Sequence, residues 1–378
     1  MAAPYNDVAI GGRLELLLRL LDQDPANASL LSDAADAALT ERRPDIARDL
    51  YTRCEALAPL SSAQLGQAGL AAMQQADFAA AEAIFARLHQ QQPADASLRF
   101  NLAWSLAMLK RFDEALALLD EQTVIALPQA AMLRIQLMHD GERHDEAFAE
   151  AKRHIERHPS HKGLAAAVSV LAMDMEDVAL ARECATRGGE HPDALTTLGV
   201  LALGDEQGGQ AKALFERALK LNTKAPRAWV GVGLAALAAG DSAAAARDIE
   251  HGAEMFAEHV GSWIAAGWAH VIKGDLEAGR RCFAKALALD HNFSESHGSL
   301  GVIAILENRF DDARPLAATA LRLDKQSFSG ALAHALLLQS QNKPDLARKI
   351  IDRALNTPID ASGKTIAQAM ARQALSWR

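Results

Sequence analysis

Apolar residues along this chain recur at helical rather than alternating spacing, in paired runs separated by short polar turns. Between Pro226 and about Ala257 the pattern predicts two amphipathic helices, "RAWVGVGLAALAAG" and "SAAAARDIEHGAEMF", with Gly240-Asp241 ending the first and capping the second. Gly233 on the first helix and Ala245 and Gly252 on the second let the pair approach closely, and Trp229 and Ile249 fill the remaining space. Neither helix buries its apolar stripe alone, so each needs a neighbour. Pro25, Pro59, Pro93, Pro159, Pro226 and Pro344 fall in turns or at a first helical position, where a missing N–H costs little.

The pair repeats. "RAWVGVGLAALAAGD" returns further along as "GSWIAAGWAHVIKGD", and Trp229, Gly233, Gly240 and Asp241 reappear as Trp263, Gly267, Gly274 and Asp275. Gly199, Gly233, Gly267 and Gly301 keep the same step. A second series marks the second helices, running Ala47, Ala81, Ala115, Ala147, Ala181, Ala211, Ala245, Gly279, Ala313 and Ala347. Its steps are 34 except for one of 32 after Ala115 and one of 30 after Ala181. Self-similarity at this period predicts stacked hairpins. The expected division is an N-terminal capping helix in 1–27 (near Val8–Asp22), units one to five in 28–190, units six to ten in 191–358, and a C-terminal capping helix in 359–378 (near Ser362–Ser376). No stretch is left for a separate catalytic domain. The shortened step after Ala115 predicts a trimmed second helix in unit three near "EQTVIALP", and "TRGGEHP" shortens unit five. Gly188-Gly189 and Gly208-Gly209 bracket the first helix of unit six; they read as helix caps, with a flexible joint as the other reading.

Composition narrows the function. Half of the residues are hydrophobic but only 5% aromatic, which suits closely packed helices, and the alanine content fits a bacterial style. A net charge of −9 argues against nucleic-acid binding, which needs clustered Lys and Arg to displace counterions. Residues 1–190 carry 18 Lys/Arg against 28 Asp/Glu, net −10, and residues 191–378 carry 21 against 20, net +1. The acidic half reads as a solvated surface, with steering of a basic partner as the sharper alternative. Cys54, Cys184 and Cys282 form no CxxC and read as reduced packing residues. No apolar run reaches membrane-spanning length and no signal peptide opens the chain, so the expectation is a cytoplasmic protein without membrane insertion, or a periplasmic one if a signal was removed.

These residues resemble the tetratricopeptide repeat, whose pattern of Trp, Leu-Gly, Tyr, Ala, Phe, Ala and Pro recurs at this same step. Trp229 and Trp263 match the Trp; Gly69, Gly199, Gly233, Gly267 and Gly301 the Gly; Phe85, Phe215 and Phe283 the Phe; Pro59, Pro93 and Pro159 the closing Pro. Tyr is absent from its place, and His297 and Ala331 replace the Trp in the last two units. The resemblance implies an all-α, right-handed α-solenoid of about ten helix-turn-helix units whose first helices line a groove that receives a peptide or helix. The expected partner-binding residues are Phe100, Trp104 and Met108 in unit three, and Val230, Leu234, Ile264, Trp268, Val302, Ile305 and Leu336 in the second half; Leu70, Met73 and Leu332 share the register. Trp263 packs, whereas Trp268 is expected in the groove unless it packs between first helices or the C-terminal helix folds over it. The places where chaperone-tail clamps resembling this chain hold a terminal carboxylate with Lys and Asn are here Thr196, Val230, Ile264 and Gly298, then Val200, Leu234, Trp268 and Val302. An apolar protein segment is therefore the expected ligand.

Candidate chemistry is sparse. Glu150, His154 and His158 recur at every fourth position on one predicted face, with His161 after the turn, a spacing that a divalent metal accepts. A helix-end position for His158 and a packing position for His154 are the plainer reading, so no metal and no cofactor is expected. Asp113-Glu114, Asp145-Glu146 and Asp311-Asp312 recur at starts of second helices and read as caps rather than acid/base pairs. No nucleophile elbow or phosphate loop occurs, and Gly231-Val232-Gly233 lies inside a helix. The function expected is a noncatalytic scaffold or adaptor of open oligomeric state. The alternative is a regulatory or assembly subunit of a secretion, envelope-biogenesis or enzyme complex.

Overall fold

The computed structural model describes residues 12–356, which hold 22 helices and no strand. The fold is an all-α solenoid of hairpins. The chain divides into two compact units, one ending at His158 and one beginning at Pro159. In the first, α1 (Arg13–Gln23) precedes the hairpins α2 (Ala28–Thr40)–α3 (Pro44–Leu57) and α4 (Ser62–Gln74)–α5 (Phe78–Gln91). There follow α6 (Ala96–Met108), the short α7 (Phe112–Leu118) and α8 (Glu121–Ala126), and the hairpin α9 (Pro128–Asp140)–α10 (His144–Arg157). The second unit holds α11 (Lys162–Asp174)–α12 (Val178–Gly188), α13 (Pro192–Gly204)–α14 (Gly208–Leu221) and α15 (Pro226–Ala238)–α16 (Ser242–Phe256). It continues with α17 (Val260–Lys273)–α18 (Leu276–Leu289), α19 (Ser294–Leu306)–α20 (Phe310–Leu323) and α21 (Phe328–Ser340)–α22 (Pro344–Leu355). The helix expected near Ser362–Ser376 lies outside the described residues, as does the start of the one expected from Val8; α1 buries Leu14 and Leu21 against the stack, and the Leu14 N–H donates to Glu41 Oε1 at 3.0 Å.

The turn inside every hairpin has one conformation. Arg42, Ala76, Lys110, Glu142, Glu176, Glu206, Gly240, Gly274, Asn308 and Asn342 all have φ between 57° and 92°, at the spacing of the repeat. In each, the next N–H reaches back to a carbonyl near the helix end, as Asp241 does to Ala236 O at 2.9 Å. Only two of the ten are glycine, although the left-handed region costs an L-residue about 1–2 kcal/mol; packing on both sides holds the turn. Asp77, Asp177, Asp241 and Asp275 then cap the second helices, each accepting the N–H of the third residue on. The acidic pairs behave differently from the expectation. Asp113-Glu114, Asp145-Glu146 and Asp311-Asp312 sit inside the first turn, and the N-cap is an arginine that pairs with them: Arg111 with Glu114, Arg143 with Glu146, Arg309 with Asp312.

Packing within a hairpin joins a small residue on the first helix to a large one on the second. A Cβ added to Gly69, Gly199 or Gly267 would lie 2.6, 2.5 or 2.3 Å from the ring of Phe85, Phe215 or Phe283, all fully buried; at Gly233 the large partner is Ile249. The short step in unit three does more than trim a helix. It splits the second helix into α7 and α8, whose start is tied to α6 by the buried Arg99, paired with Asp120 and donating to Ala94 O at 3.2 Å. Gly188 ends α12, Gly189 follows at φ 59°, and Gly208-Gly209 open α14, so both glycine pairs stand at helix ends.

Candidate functional site

The position of the repeat tryptophan is a fastener between hairpins. Trp229 Nε1–H donates to Thr223 O at 3.0 Å, and Trp263 Nε1–H donates to Ala257 O at 3.0 Å. His297, which departs from the repeat pattern, bonds the corresponding His291 O through Nε2 at 2.8 Å. A ring N–H at that height satisfies the connecting turn, and an imidazole does this as well as an indole.

A cavity lies in the second unit, on the faces of first helices. It has a volume of about 300 Å³. Its apolar lining is Val170 and Met173 of α11, Val200 of α13, Val230 and Leu234 of α15 and Phe256 of α16; Asp193, Thr196, Thr197 and Ser262 add hydrogen-bonding groups. Val200, 42% exposed, and Leu234, 37% exposed, show how open the lining is. Arg227 donates to both carboxylate oxygens of Asp174, at 3.2 and 3.3 Å, joining α15 to α11 at the cavity wall. His259 caps α17: its Nδ1 accepts the Ser262 N–H at 3.2 Å and lies 2.7 Å from Ser262 Oγ, while its ring packs 5.0 Å from that of Phe256. Burial, reinforced by the Arg227 charge and opposed by Asp174, holds the His259 pKa below 6.5, so the ring is kept neutral as its cap requires.

Of the expected binding residues, Val230 and Leu234 line this cavity; Thr196 and Val200, noted only as clamp positions without Lys or Asn, line it too. Val302 and Ile305 do not stay open to a partner. At 3% and 9% exposed they are core, packed with Trp268, Leu332 and Leu336, because α19 and α21 lie against each other and close that face. Trp268 is half-buried with its ring 5.5 Å from that of Phe283, and Ile264 is half-buried on the same helix. In the first unit Phe100 and Trp104 are half-buried with ring centroids 6.1 Å apart, Met73 is half-buried, and Met108 (45%) and Leu70 are exposed. Two further clefts, of about 350 and 430 Å³, flank α7; Arg111, paired with Glu82 and Glu114, edges the first, and Arg143, paired with Glu146, edges the second, so their charged walls are engaged internally.

The sequence reading missed Val170, Met173, Asp174, Asp193, Arg227, Phe256, His259 and Ser262. Val170 precedes Val200 by the shortest step of the array, the one that follows Ala181, so applying that step beside the regular one finds it. The polar members leave no such trace, because each fills a place in its own hairpin that other units fill differently.

The histidine spacing does not become a metal site. Glu150 is taken by Arg134 at 2.5 Å, and His154 is 2% exposed with its Nε2 3.8 Å from Glu150. Burial holds its pKa low. His158 ends α10 and His161 caps α11, its Nδ1 accepting the Leu164 N–H at 2.9 Å. All three cysteines are buried and free, and burial raises their thiol pKa values, to about 11 for Cys184 and about 12 for Cys282. One group of three metal-ligating side chains does meet among the described residues: Glu250, His270 and Cys282, whose ligand atoms lie within 4.8 Å of one another. Their wide separations along the chain match no metal-site spacing, so only the stacking of three helices reveals them.

No described helix is long and apolar enough to cross a membrane. Comparison with protein-family models matches residues 72–136 to one tetratricopeptide repeat model and residues 196–254 and 264–328 to another. No curated protein sequence matches the chain. Among solved structures, the APC/C hetero-tetramer Cut9–Hcn1 is similar with a TM-score of 0.51 and 14% identity, over 96% of this chain and 86% of that one. The human IFIT1 dimer with m7Gppp-AAAA is similar with a TM-score of 0.53 and 11% identity, over 92% and 95%. At these identities the likeness is one of fold.

Proposed function

The chain belongs to the tetratricopeptide repeat family, and from that premise we propose that it is a noncatalytic interaction scaffold or adaptor that holds a segment of a partner protein on the first-helix face of its second unit. The observation that carries this reading is the cavity between α11, α13, α15 and the start of α17, with its apolar walls and scattered hydrogen-bonding groups. Such a lining suits an extended segment or helix that inserts apolar side chains and leaves backbone polar groups to Thr196, Asp193 and Ser262. Ser262 at the start of α17 marks the end of this face; Trp268, packed with Val302 and Ile305, belongs to the closed one. A second apolar surface, Phe100, Trp104 and Met108 on α6, is a further place for the same partner or another.

Solved relatives of this fold carry different cargo: Cut9 is assembled with the protein Hcn1, and IFIT1 is bound to m7Gppp-AAAA. Charge favours a protein here. The chain has a net charge of −9, and two carboxylates, Asp174 and Asp193, stand at the cavity against one arginine already paired, a poor setting for phosphates. The serine–histidine contact in this cavity, Ser262 Oγ with His259 Nδ1, belongs to the cap of α17, where the imidazole also accepts the Ser262 N–H, which supports a structural part for that pair and a binding role for the cavity. A cytoplasmic location is part of the proposal.

The test is affinity capture from the native organism with crosslinking mass spectrometry, using wild type and a Val230→Asp, Leu234→Asp double variant. Val230 and Leu234 are part-exposed, so the variant is expected to fold while losing its main partner at least tenfold, with crosslinks mapping beside the cavity. Equal recovery of every partner would remove this face from the function.

A further inference from the structure

We propose that Glu250, His270 and Cys282 form a binding site for one divalent cation of the zinc class. The three come from consecutive helices, α16, α17 and α18, so the site is made by the stacking of one hairpin on the next. Glu250 Oε2 lies 2.8 Å from His270 Nε2, and Glu250 Oε1 lies 3.9 Å from Cys282 Sγ. Zinc bonds of about 2.0–2.3 Å in a tetrahedron set ligand atoms roughly 3.3–3.8 Å apart, so sub-ångström movements seat the ion. Imidazole, thiolate and carboxylate are the donors this metal class prefers, and one carboxylate plus one thiolate neutralise a dication.

A second observation concerns His270. Its side chain is 7% exposed, and its Nδ1 has no hydrogen-bond partner, although Asp275 Oδ2 stands 3.9 Å away. With the proton on Nε2 facing Glu250, Nδ1 is stranded. With a cation on Nε2 the proton sits on Nδ1, aimed at Asp275, whose Oδ1 is already held by the Ala278 N–H at 3.0 Å. A carboxylate behind a ligating histidine is the usual support of such a site. Binding releases the Cys282 thiol proton to solvent as the metal–sulfur bond forms, with no change of oxidation state. Glu250, 31% exposed, gives the ion its way in and leaves the fourth position for water.

The fold itself has no need of these three polar groups. One repeat later the same places hold Ala284, Ala304 and Leu316, and α18 packs against α19 without them. Burying a histidine, a thiol and a carboxylate together costs stability unless each is satisfied.

The experiment uses the full chain, stripped with chelator and titrated with Co2+ and then Zn2+. The expected result is one Co2+ per chain with thiolate-to-cobalt charge-transfer absorption that one equivalent of Zn2+ removes. Cys282→Ser abolishes that band, a Cys54→Ala, Cys184→Ala double variant keeps it, and Asp275→Asn weakens binding about 10–100-fold without removing it. Glu250→Gln, on the exposed edge, is expected to fold whatever happens to Cys282→Ser, and to weaken binding at least tenfold. Absence of the band in wild type, its persistence in Cys282→Ser, or unchanged affinity in Glu250→Gln would overturn the assignment.

Discussion

Two stretches of the second unit use the same hairpin to opposite effect. Around α19 and α21 the first helices lie against each other, and Ser299 and Ser329 share a hydrogen bond of 3.1 Å while Glu295 accepts from both Ser327 and Ser329. A Cβ on Gly298 would stand 2.3 Å from Gly330 N, so that approach exists because the residue there is glycine. From α13 to α17 the positions equivalent to Gly298 are Thr196, Val230 and Ile264. Side chains fill the gap, the first helices stand off, and a cavity lined by Thr196 and Val230 remains. A change of a few atoms at one repeat position thus decides whether a face is core or surface.

The largest test of this contrast is Phe215→Ala. Phe215 is fully buried beneath both Gly199 and Gly231, and Gly231 lines the cavity, so its loss removes the floor of the open region. Expected destabilisation is about 3–5 kcal/mol by denaturant unfolding. Next comes Gly298→Val, which forces side-chain atoms into the backbone of α21; it is expected to cost about 3 kcal/mol and to increase the solvent exposure of Val302 and Ile305, read by hydrogen exchange of α19 and α21. Gly301→Ala is its control. A Cβ there meets nothing nearer than 3.4 Å, so the change is expected to be within about 1 kcal/mol and of stabilising sign, since alanine favours the helix.

Acid discriminates the regions more gently. A His259 pKa lowered by folding means that the unfolded chain takes the proton first, so this contribution to stability is complete above pH 6.5 and is lost as pH falls from there towards the folded value. His154, also lowered, adds a loss of the same sign in the first unit. The urea midpoint is expected to fall between pH 7 and 5, and His259→Asn, which keeps a cap acceptor, to flatten only the part belonging to the open region. The smallest effect is expected from Arg227→Met. Exposed ion pairs contribute about 0–1 kcal/mol, so stability stays nearly constant, while the His259 pKa, followed by NMR, rises towards its ordinary value because the arginine no longer depresses it.

Much of the fold was legible because its determinants are close in sequence. The facing of Gly199 and Phe215, or of Gly233 and Ile249, stays within one hairpin at one constant offset and recurs with the period, so pattern alone identifies it. Residue type agrees with the left-handed turn at Gly240, Gly274, Asn308 and Asn342; at Arg42 or Glu206 it says nothing, since packing rather than preference imposes the conformation. The candidate face was legible in part. The register placed Val230 and Leu234 on the side of α15 that lines the cavity, but it assigned Val302 and Ile305, which are buried, to the same surface, because identical register does not imply identical distance between neighbouring helices.

The sequence by itself determined that the chain is built of helical hairpins, which side of each helix is apolar and how many hairpins follow one another, since these depend on spacing within a single repeat. Only the tertiary structure decided which first-helix side chains reach solvent and that Glu250, His270 and Cys282 converge. The reason is that exposure and convergence depend on the separation of helices from different hairpins, which is fixed by the volumes of side chains meeting across the stack and by no local preference of the chain.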